Sequence, residues 1–184
     1  MSNNPHFPQY RLRLMIRFFL LLMMLALAPV SRAANYLDFL SKEVMPLHDK
    51  IFETNFVVSQ DPPMCNKNKL IRGFFYSKYR AIYVCLENLL EDPRLGNIDG
   101  SGKDKDARFQ LSRTLTHEAV HAAQYCNGGK IIAPHKASQL AKEWKKEAID
   151  LSLMIGGTEA REEEAYLLET DPFYVADAIE KFCF

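Results

Sequence analysis

Apolar side chains recur at a helical interval through residues 107–126: Leu111, Leu115, Ala119, Ala122 and Cys126 form one stripe. Phe109 and Val120 fall on the opposite flank, so apolar residues border this helix on both sides. That pattern predicts a helix buried between two layers rather than one resting on a surface. It starts near Asp106, an acceptable N-cap, and Asn127-Gly128-Gly129 stops it with residues that tolerate left-handed backbone. Upstream, Leu37, Leu40, Val44, Leu47 and Ile51 predict a helix over residues 35–52 that Pro46 kinks or divides. Phe56-Val57-Val58 reads as a short strand closed by Asp61-Pro62-Pro63. Residues 70–76 and 80–86 are rich in aromatic and branched side chains, and Ser77-Lys78-Tyr79 can turn between them, which predicts a β-hairpin. Downstream, Leu140, Trp144, Ala148, Leu151 and Ile155 make an amphipathic helix stopped by Gly156-Gly157. Thr158 caps the next helix, and Asp171-Pro172 opens a last one over residues 173–182. The expected fold class is α+β: a mainly helical domain with a small antiparallel sheet packed against the long central helix.

The first 33 residues stand apart from this pattern. Arg11, Arg13 and Arg17 precede an apolar run over residues 18–27, Pro29 breaks it, and Ser31-Arg32-Ala33 fits the small-x-small cleavage rule. Residues 1–33 therefore read as a signal peptide and 34–184 as a single domain, an uncleaved anchor being the alternative to cleavage. Removal leaves 151 of the 184 residues, enough for one domain with a real core. The leader takes four basic residues and no acidic one, so the remainder carries 19 basic against 23 acidic residues. A mildly acidic exported protein is expected to bind no nucleic acid, and after leader cleavage to have no stable membrane insertion. All four cysteines lie in the mature part, and an even count in an exported protein predicts two disulfides rather than a thiolate metal site. Cys65–Cys85 would tie the strand pair, and Cys126–Cys183 would pin the last helix to the end of the central one.

The central helix carries the chemistry. His117-Glu118-Ala119-Val120-His121 places two imidazoles one turn apart, where both can reach one metal ion. Glu118 projects about 100° further round the axis and can touch a metal-bound water without being a ligand, as a general base requires. A third ligand is needed. The pattern H-E-x-x-H-x-x-G-x-x-H fails, since Gln124 and Asn127 stand where glycine and histidine are required. His135 adjoins Pro134 at a helix start and reads as a capping or exposed residue. In the helix after Thr158, taking Ala160, Leu167 and Leu168 as the core-facing arc puts Glu164 near its middle, Glu163 to one side and Glu162 pointing away. A carboxylate within an apolar arc needs a partner, and a metal is one. In the loop before the central helix, Asn97, Asp99, Ser101 and Gly102 match calcium-loop positions, but Arg108 stands where a bidentate glutamate belongs, so no calcium site is expected.

His117-Glu118-x-x-His121, with Glu164-Ala165 on a later helix and a strand at residues 81–85 before the site, resembles the thermolysin-like gluzincin arrangement of the zincin metallopeptidases. The resemblance implies one zinc per chain on His117, His121 and Glu164, with Glu118 as the base that polarises the attacking water. It implies an endopeptidase rather than an exopeptidase, acting on a peptide or protein laid along the strand at 81–85. Tyr166, Tyr125 and Tyr174 are nameable oxyanion donors, with Tyr166 first. No aspartate follows Glu164 at i+4, where Leu168 stands, so support for a site histidine must come from elsewhere. Two rival expectations remain: an exported zinc-binding interaction module without turnover, and a non-peptidase zinc hydrolase. Glu118 argues against the first, because a purely structural site has no need of it.

Overall fold

A 3₁₀ turn, Tyr36–Phe39, leads into helix α1, Met45–Glu53. Pro46 lies in the first turn of α1, where a missing N–H costs nothing, so the single expected helix over 35–52 is two elements. Strand β1, Val57–Gln60, follows, then β2, Gly73–Tyr76, and β3, Ala81–Val84. Helices α2, Leu86–Leu90, α3, Lys103–Cys126, α4, Glu159–Leu168, and α5, Pro172–Cys183, follow. This computed structural model describes residues 34–92, 103–134, 149–150, 152–153 and 157–184. The expected leader at 1–33, the calcium-like positions Asn97, Asp99, Ser101 and Gly102, His135, and most of the helix over 140–155 lie outside the described residues.

The fold is mainly helical α+β, with one correction to the sheet. Its strands run in the order β1-β3-β2; β2 pairs antiparallel with β3, as the hairpin predicts, but β1 pairs parallel with β3. The sheet is therefore mixed, and β3 is its centre rather than an edge. The hairpin closes through a 3₁₀ turn, Ser77–Tyr79, and Arg80 in left-handed conformation at φ 49°. That unfavourable backbone is offset by the Arg80 guanidinium, which donates to the Thr54 carbonyl at 3.0 Å and lies over the Phe56 ring.

Helix α3 contacts β2, β3, α4 and α5. Every residue from Thr114 to Gln124 is buried, the signature of a helix between layers, although Phe109 one turn earlier is exposed. The core around it joins Leu47 and Ile51 of α1, Ile82 and Val84 of β3, Leu111 and Leu115 of α3, and Val175 and Ile179 of α5. Gly73 makes the sheet's close approach possible: a Cβ there would sit 2.6 Å from Thr114 Cγ2 and 2.9 Å from the Tyr83 carbonyl oxygen. The disulfides are Cys65–Cys85 and Cys126–Cys183, the two pairings favoured from the sequence. Among the described residues no helix is long and apolar enough to cross a membrane.

Candidate metal centre

The buried middle of α3 presents His117 and His121 on its face toward α4. Their rings meet edge to face, with centroids 5.0 Å apart. His117 Nε2 lies 3.5 Å from Glu162 Oε2, and His121 Nε2 lies 3.4 Å from Glu162 Oε1. These separations are long for charged hydrogen bonds. They match the spacing of about 3.3–3.5 Å that adjacent ligand atoms adopt around a tetrahedral ion with bonds near 2.05 Å. Glu162 Oε2 is buried and has no hydrogen-bond partner among the described residues, so the donor set fits a cation placed between the three side chains. Among the described residues, His117, His121 and Glu162 are the group that could hold a metal ion.

Each histidine is oriented from behind. Gln124, fully buried and one turn after His121, uses its whole amide. Its Nε2 donates to the Arg161 carbonyl at 3.0 Å and to Glu164 Oε2 at 2.9 Å, and its Oε1 accepts from Arg161 Nε at 3.1 Å. Because Arg161 Nε can only donate and a carboxylate can only accept, the amide has one orientation. His121 Nδ1, 2.9 Å from Oε1, must then carry the proton, which leaves the Nε2 lone pair aimed at Glu162. His117 Nδ1 faces Glu169 Oε2 at 3.7 Å, and Glu169 also takes a charge-assisted hydrogen bond from Arg113. Burial by itself would lower the His117 pKa, but the carboxylates of Glu162 and Glu169 raise it to about 9. Burial likewise opposes ionisation of Glu162, yet the two histidines hold its pKa well below the usual carboxylate range. The site attracts positive charge, which a divalent ion could supply between the same atoms.

Glu164 is the third ligand expected from the sequence, but the carboxylate that meets the two histidines belongs to Glu162. Glu164 is fully buried, as its place in the arc requires. Its partners are the backbone N–H groups of Ile132 and Ala133 and the Gln124 amide, at 2.5–2.9 Å. The difference lies in the phase of α4: Ala160, expected to face the core, is exposed, while Glu162, expected to point outward, is buried. The face turned to His117 runs Glu162, Tyr166, Glu169 at i, i+4, i+7, and Glu169 supplies the support absent at Leu168. Tyr166 packs its ring against His117 at 4.5 Å and points its hydroxyl at Ser152 Oγ, 3.3 Å away. Tyr174 bonds the Ile132 carbonyl. Of the three tyrosines, Tyr125 lines the cavity over the site.

That cavity has a volume of about 340 Å³ and is bounded by residues 73–77 on one wall and by His117, Glu118, His121, Arg161 and Glu162 on the other. Glu118 reaches it without joining the three-residue cluster. Burial raises its pKa against the opposing pull of His117, His121 and the Phe75 backbone amide. The strand at the rim is β2, not the strand at 81–85 expected from the sequence, because β3 has partners on both sides. Sequence reasoning missed Glu162, Glu169, Gln124 and Arg161; the i+3 spacing from His121 to Gln124 was the one local signal available.

A family model described as Domain of unknown function (DUF8637) matches residues 36–184. No curated protein and no solved structure matches this sequence.

Proposed function

The protein belongs to the DUF8637 family, a domain of unknown function, and we propose that it is an exported zinc-dependent peptidase resembling the zincins. The observation that carries this reading is the convergence of two imidazole Nε2 atoms and one carboxylate at tetrahedral ligand spacing, with a separate buried glutamate facing the same cavity. His117, His121 and Glu162 would hold one zinc per chain. When bound, zinc supplies Lewis acidity and a water acidified toward neutral pH.

The protein's own residues account for the rest. Glu118, facing the cavity beside His117, would accept the proton of a zinc-bound water and pass it on to the leaving amine. Gln124 and Glu169 keep both imidazoles in ligating orientation, and Phe75 holds Glu118 toward the cavity through its backbone amide. The edge of β2, unpaired among the described residues, lets an extended peptide add to the sheet with its carbonyls beside Glu118. This edge favours a peptide substrate over other zinc-hydrolase substrates. Two disulfides agree with an oxidising compartment outside the cytoplasm.

Elemental analysis of the purified mature protein should find about one zinc per chain, lost in His117→Ala and Glu162→Ala. Glu118→Gln should keep the zinc while cleavage of an unfolded protein substrate falls by about 10²–10⁴-fold. Full zinc in a His117→Ala/His121→Ala double variant, or undiminished cleavage by Glu118→Gln, would defeat the proposal.

A further inference from the structure

Arg161 precedes Glu162 on α4 and lines the same cavity as His117, Glu118 and His121. Gln124 grips it twice, accepting from its Nε and donating to its backbone carbonyl. The side chain is therefore fixed relative to the imidazole that the same glutamine orients. Arg72 and Arg113 each pair with a carboxylate, whereas no carboxylate among the described residues forms an ion pair with Arg161. With Nε engaged, the two Nη groups remain as a planar fork of donors, the geometry that recognises a carboxylate bidentately.

Charge within the cavity leads to the same place. A divalent ion brings two positive charges; Glu162 and Glu118 cancel them, and ligating histidines are neutral. Arg161 is then the charge left unbalanced among the described lining residues, half-buried where solvent screens it weakly. We infer that Arg161 is a specificity residue that binds a substrate carboxylate, supplied by an acidic side chain or by the substrate's own C-terminus close to the scissile bond. This rests on the peptidase reading above.

The test uses the zinc-loaded protein and peptide pairs differing by Glu against Gln at each position around the scissile bond, each made with a free and an amidated C-terminus. The carboxylate peptides should be cleaved with kcat/KM about 10–100-fold higher, chiefly through KM. A preference that survives amidation assigns the carboxylate to a side chain; one abolished by it assigns the C-terminus. Arg161→Gln should erase the preference, read as the ratio of charged to neutral cleavage within the variant, and keep its zinc; the loss of the Gln124 contact lowers both rates together and leaves that ratio untouched. Arg161→Lys breaks the same Gln124 contact but keeps the charge, and should retain part of the preference. Calorimetric binding of the same peptides to zinc-loaded Glu118→Gln should show the same ranking without turnover. Equal cleavage of charged and neutral peptides, or a preference intact in Arg161→Gln, overturns the assignment of Arg161 and leaves the peptidase standing. Failure to cleave any peptide overturns the peptidase reading as well.

Discussion

Glu162 and Glu164 stand two residues apart on α4, both buried, and their surroundings give them opposite tasks. Glu164 is saturated by two backbone amides and a glutamine, so it holds the 132–133 segment against α4. Glu162 has an orphan oxygen and two imidazoles in front of it. In chelator, Glu164→Ala should lower unfolding stability by roughly 2–4 kcal/mol, because it strands the buried N–H donors of Ile132 and Ala133. Glu162→Ala should cost less stability and abolish metal binding. Denaturant titrations beside metal analysis separate the two; a metal-free Glu164→Ala as stable as the parent would return the ligand role to Glu164. The His117-Glu118-x-x-His121 face was legible because its meaning depends only on helical spacing. The carboxylate that faces the two histidines was not, since a single misjudged alanine rotates the whole of α4 and exchanges one glutamate for another.

At the level of elements, the approach of β2 to α3 decides whether Glu118 and the strand edge share one cavity. The hairpin could be read from its aromatic run, because β-propensity and turn residues are local. Its place in the sheet could not, because β1 reaches β3 across an intervening hairpin arm, and such pairing leaves no periodic trace in the sequence. Gly73 is where the approach is tightest: a methyl group there would meet Glu118 Cγ at 3.2 Å as well as the closer Thr114 and Tyr83 atoms. Gly73→Ala should therefore destabilise by about 1–3 kcal/mol and displace the strand. On the peptidase proposal its cleavage rate should fall while zinc remains bound, since His117, His121 and Glu162 all lie outside β2. Loss of zinc together with activity would mean that β2 supports the ligands directly.

Across the whole molecule the two disulfides divide the stabilisation unequally. Cys65–Cys85 closes 20 residues around the sheet, and Cys126–Cys183 closes 57 residues and joins the ends of α3 and α5. Loop-closure entropy alone makes the first worth roughly 3 kcal/mol and the second roughly 4 kcal/mol. Paired serine variants compared by urea unfolding should keep that order; the reverse would show that the longer loop stays compact when unfolded. The cysteine pairing was readable because the hairpin and the two helix ends could be placed first. The 57-residue bridge has a further consequence in time. A ribosome delivers His117 and His121 long before Glu162, and Glu169 and the helix bearing Cys183 come later still. The sheet and its short bridge can close on a nascent polypeptide, but the His117–His121–Glu162 cluster has no carboxylate until α4 has emerged and no clamp until α5 follows. If the site hydrolyses peptides as proposed, a polypeptide still being made carries it unassembled, and its own unfolded segments are spared while they are most exposed.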